Sequence, residues 1–151
     1  MKRIGPPAYR FGAVAAAIGV SDQTLRNWLF RHENLDLFTE RSSPAGWRSF
    51  DERDVWVLAL VVELMRFGAT ITDAVDASRQ AMDIRRDAHR PETLPRSLYA
   101  APSPNGWEID ENKGLALHRS GSPSVLEIPM RWVLSEALRR LRAATDSESQ
   151  A

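Results

Sequence analysis

The chain has 151 residues, 43% of them apolar, enough for one domain, or a small domain with an appended unit, around a packed core. Twenty basic residues balance twenty acidic ones, and the absence of cysteine excludes disulfides, thiolate metal sites and cysteine nucleophiles. The neutral total hides an asymmetry: residues 1–50 hold seven Lys and Arg against four Asp and Glu, so any positive face belongs to the N-terminal third.

At the start, "MKRIGPP" leads into no signal-type apolar stretch, and the longest apolar run, "VWVLALVV", is too short to cross a bilayer. The expectation is a cytoplasmic protein with no membrane partner. His32, His89 and His118 stand far apart without metal-ligand spacing. No helical metal motif, glycine-rich phosphate loop or nucleophile elbow is present, so neither cofactor nor catalysis is expected.

The first element is an alanine-rich helix from Phe11 to Ile18, with Phe11, Val14, Ala15 and Ile18 on one face and Gly19 as its stop. Ser21 is a good N-cap for a second helix, and Asp22 in the first turn suits the helix dipole. Leu25, Trp28 and Leu29 share the apolar face of this helix, while Gln23, Arg26 and Asn27 point away from it, with Arg31 near its end. Arg26 also stands four residues from Asp22, where an ion pair would hold it on the surface. Small residues on the first helix let the two cross closely, and the second offers a polar surface outward.

From Leu35 to Phe50, two short apolar stretches flank a Ser-Ser-Pro-Ala-Gly turn, the pattern of a small β-hairpin. Asp51 or a neighbour then caps a third helix with Val55, Leu58, Val62 and Met65 on its buried face, ending at Gly68. A fourth helix begins at Thr70 or Thr72 and runs to about Arg86. "HRPETLPRS" reads as a linker. Beyond it, "SLYAAP", "GWEIDENKGLALHR" and "SVLEIP" read as short strands, with Asn-Lys-Gly as a tight turn, followed by an amphipathic helix from about Pro129 to Ala144.

Taken in order, "YRFGAVAAAIGVSDQTLRNWLFR", "GWRSFDERDVWVL" and "LMRFGATITDAV" resemble the MerR family of winged helix-turn-helix DNA-binding proteins over residues 9–78. The resemblance implies a winged helix-turn-helix domain at 8–88; with the residues read beyond it, a linker at 89–96, a small β-strand plus helix unit at 97–144 and a disordered tail at 145–151, the expected fold is mainly α with small β elements. The resemblance further implies that Ser21–Arg31 is a recognition helix for the major groove of double-stranded DNA. Ser21, Gln23, Thr24, Arg26, Asn27 and Arg31 would be its contact residues, joined by Trp47 and Arg48 from the wing. Trp47 is equally suited to packing on the hairpin.

The implied function is sequence-specific transcriptional regulation of bacterial or phage type, in a nucleoid-associated protein. Two other readings remain open: a mobile-element accessory factor of excisionase or terminase small-subunit type, and a protein-interaction module that does not bind DNA. The late helix carries Trp132, Leu134, Leu138 and Leu141 on a broad apolar stripe, and the prolines of the linker interrupt any long dimerising helix. A homodimer built mainly by residues 97–144 is therefore expected, with those four side chains at its interface.

Overall fold

Asp51 and Asp54 start the element against which the helices pack. The Asp54 N–H donates to the Asp51 carboxylate and the Asp51 N–H donates to the Asp54 carboxylate, each at 3.0 Å, a reciprocal cap at the head of α3 (Glu52–Arg66). Val55, Trp56, Val57, Leu58, Ala59, Leu60, Val61 and Leu64 of this helix are all buried. A helix apolar on every side must be covered on every side. Three others do this: α1 (Phe11–Ile18), α4 (Ile71–Ile84) and α6 (Met130–Gln150). The structure, a computed structural model, describes residues 9–31, 50–84 and 96–150. The expected hairpin lies outside the described residues except for Phe50, as does the linker except for Arg96.

Helix α1 ends as its sequence requires. Gly19 adopts φ +80°, and its N–H and that of Val20 donate to the carbonyls of Ala16 and Ala15 at 3.2 and 3.0 Å. The chain then turns directly into α2 (Asp22–Arg31), capped by the Ser21 hydroxyl, which accepts from the Thr24 N–H at 3.1 Å. Helix α4 is capped by the Thr70 hydroxyl, which accepts from the Asp73 N–H at 3.1 Å. Its buried face is made of small residues, Ala74, Ala77, Ser78 and Ala81 with Val75, which permits close approach to α3.

Strands β1 (Leu98–Ser103), β2 (Gly106–Asp110) and β3 (Leu126–Ile128) form an antiparallel sheet in the order β2-β1-β3. The tight turn is Pro104-Asn105, with Ser103 opposite Gly106, and not Asn-Lys-Gly. Asn112 instead accepts from the Leu115 N–H at 3.1 Å and caps a helix, α5 (Lys113–Ser120), where strand had been expected. The physical reason is that asparagine serves caps as readily as turns, and Gly121 at φ +67° supplies the matching stop. Helix α5 packs on β1 and β2.

Residues 97–144 do not stand apart. Helix α6 lies against α1 and α3, β2 lies against α4, and the buried residues of both halves form one continuous cluster. The stripe expected at a dimer interface is spent inside the chain: Leu134, Leu138 and Leu141 are buried, whereas Trp132 stays 62% exposed. An amphipathic stripe states that a cover is needed, not which chain provides it. Helix α6 also continues through Gln150, past the point where disorder was expected. Among the described residues, no helix is long and apolar enough to cross a membrane.

Candidate nucleic-acid interface

Helix α2 is attached to the body by one side and presents the other to solvent. Leu25 is fully buried, and the half-buried Trp28 and Leu29 pack against the core. Opposite them, Gln23, Arg26, Asn27 and Arg31 are exposed. The inward anchoring fixes the rotation of the helix, so the outward face is determined as well.

That outward face is already organised. The Gln23 carboxamide donates to the Asn27 side-chain oxygen at 3.0 Å, one helical turn on. The pairing leaves the Gln23 oxygen as acceptor, with one Gln23 N–H and both Asn27 N–H groups as donors, the mixed set that hydrogen-bonds base edges. Ser21 and Thr24 contribute differently. The Ser21 hydroxyl donates to the Thr24 hydroxyl at 2.9 Å while accepting from the Thr24 N–H, so both side chains build the helix start.

Arg26 makes no ion pair with Asp22. Its guanidinium lies over the Phe11 ring, 4.9 Å from the centroid, and Phe11 in turn meets Phe50 edge to face at 5.7 Å. Phe50 closes the series, exchanging backbone hydrogen bonds with Tyr9 at 2.8 and 3.0 Å. An exposed arginine on α2 is thereby seated on the start of α1, which is itself tied to the end of the segment preceding α3. Nothing in the spacing of Phe11 and Arg26 announces this contact, because it depends on the angle between two helices.

Tyr9 sits beside Glu52, its hydroxyl donating to the carboxylate over a long 3.4 Å. Burial and the Glu52 charge raise the Tyr9 pKa above the ordinary tyrosine value, with Arg142 of α6 acting in the opposite direction. Trp47 and Arg48 lie outside the described residues. Among the described residues, no group of three His, Asp or Glu side chains is placed to hold a metal ion. Sequence reasoning overlooked Phe30, which is 82% exposed on the same outward face as Gln23, Arg26 and Asn27.

Residues 9–80 match the family model for the MerR HTH family regulatory protein. A 75-residue stretch is 35% identical to the HTH-type transcriptional repressor CarH of Myxococcus xanthus, covering 50% of this chain and 24% of that protein. The chain thus spans about a quarter of the length of that relative.

Proposed function

We propose, from the premise that residues 9–80 are a MerR-family helix-turn-helix region, that this chain is a sequence-specific double-stranded DNA-binding transcription regulator. The observation that carries the reading is the outward face of α2, where a hydrogen-bonded Gln23–Asn27 pair and a seated Arg26 are held opposite the buried Leu25. Laid in a major groove, that face offers donors and an acceptor to base edges and a cation to base or phosphate. Arg48 and Trp47 are assigned to the adjacent backbone.

A homodimer completes the reading. One module of this kind buries on the order of 600–1,000 Å² on DNA, and paired half-sites supply the specificity that a single copy lacks. With Leu134, Leu138 and Leu141 already covered, the second copy is assigned to Trp132 and the groove beside it, floored by Ala17, Ala59 and Ala137 and rimmed by Glu63, Arg66 and Arg140. A surface that carries a projecting side chain, a shallow depression and charges of both signs can complement itself across a two-fold axis.

The test is fluorescence anisotropy with duplex DNA over a range of salt concentrations, beside light scattering of the free protein. The reading expects tight, salt-dependent binding to a preferred duplex by a dimer. Weak retention on DNA that is insensitive to salt favours the interaction-module alternative and removes this assignment.

A further inference from the structure

Phe30 is the most exposed large apolar side chain among the described residues, at 82%. It follows Gln23, Arg26 and Asn27 by seven, four and three residues, so it falls in the same stripe of α2. The buried or half-buried Leu25, Trp28 and Leu29 occupy the opposite side, so no rotation of α2 that keeps Leu25 in the core brings Phe30 inward. Single apolar residues are common on protein surfaces. What singles out Phe30 is its place inside a stripe of base-reading side chains rather than at the margin of the core.

We infer that Phe30 is a specificity-determining residue that packs against the C5 methyl group of a thymine in the major groove. This rests on the DNA-binding reading above. The thymine methyl is the one apolar group that a base pair presents in the major groove, and phenylalanine is among the side chains that contact it. Rise along the helix places Phe30 about 10 Å from Gln23, so the thymine lies within about three base pairs of the step that Gln23 reads. The polar residues of the stripe then discriminate by hydrogen bonding, and Phe30 by the presence or absence of a methyl group.

Deoxyuridine differs from thymidine only in lacking that methyl, which makes the test direct. The preferred duplex is first selected with the full-length protein, and each thymine is then replaced singly by deoxyuridine. Binding is measured for wild type, Phe30→Ala and Phe30→Leu. Wild type should lose about fourfold in affinity at one or two positions, the value of burying one methyl group. Phe30→Ala should be indifferent at those positions, and Phe30→Leu should keep part of the loss.

A wild-type protein that selects a site but tolerates deoxyuridine at every thymine overturns the inference alone. So does Phe30→Ala with an undiminished response. A lowered melting temperature in Phe30→Ala with the deoxyuridine profile unchanged likewise overturns it, by placing the ring against the chain itself. A wild-type protein that selects no site at all overturns the DNA-binding reading and this inference together.

Discussion

The Gln80 carboxamide of α4 donates to the Trp107 carbonyl of β2 at 2.9 Å, and its oxygen accepts from the Ile109 N–H at 3.3 Å. One side chain thereby occupies two backbone groups on the edge strand of the sheet, as a further strand would. It joins the C-terminal sheet to the helices that carry the candidate interface.

Gln80→Leu keeps much of the volume and leaves both β2 groups without these partners. The expected cost is about 1–2 kcal/mol in urea unfolding. Hydrogen exchange at the Ile109 amide should quicken more than exchange in α3, and equal protection in both forms would deny Gln80 this role.

Helix α6 separates stability from association. Leu138, 4% exposed, should cost about 2–5 kcal/mol when changed to alanine, with the association state of the folded protein unchanged. Trp132→Ala should unfold at nearly the wild-type denaturant concentration and shift the proposed dimer towards monomer in light scattering. The opposite pattern would return the dimer contact to the leucine stripe.

Truncation after Arg90 tests whether the two halves share their core. It removes Met130, Val133, Leu134, Leu138 and Leu141, all buried in the common cluster, and uncovers apolar surface on α1 and α3. The expected product lacks cooperative unfolding in circular dichroism. A sharp transition would mean that the N-terminal helices fold alone.

Tyr9 gives a signed pH dependence. Because burial and Glu52 raise its folded pKa above the ordinary value of 10.0, the protonated phenol is favoured in the folded state. Its contribution is fully present below pH 10 and is lost as pH rises through the folded value. In thermal unfolding above that point, wild type should lose more stability than Tyr9→Phe; parallel curves would refute the coupling.

The first four helices were legible because their signals are local. Gly19, Ser21, Asp51 and Thr70 stop or cap at the expected places, each using only neighbours within a turn. Helix α5 was not, since Asn112 fits both a turn and a cap and the choice depends on packing against β1 and β2. The cover of α6 was misassigned because periodicity gives the face of a helix and not its neighbour. Of the candidate site, the exposure of Gln23, Arg26 and Asn27 could be read from the spacing of Leu25, Trp28 and Leu29. The outward position of Phe30 follows from the same spacing and was overlooked, whereas the Phe11 seat under Arg26 required three dimensions.

The central claim is that the outward face of α2 reads DNA sequence, and selection from a randomised duplex pool tests it most directly, using wild type, Gln23→Ala, Asn27→Ala and the double variant. The account predicts that wild type enriches a defined site. Each single variant should lose about 1–3 kcal/mol of discrimination at particular base pairs while binding non-specific DNA as before. The double variant should lose less than the two effects combined, because the side chains are hydrogen-bonded to each other. Enrichment of the same site, with the same base preferences, by wild type and both single variants would contradict it.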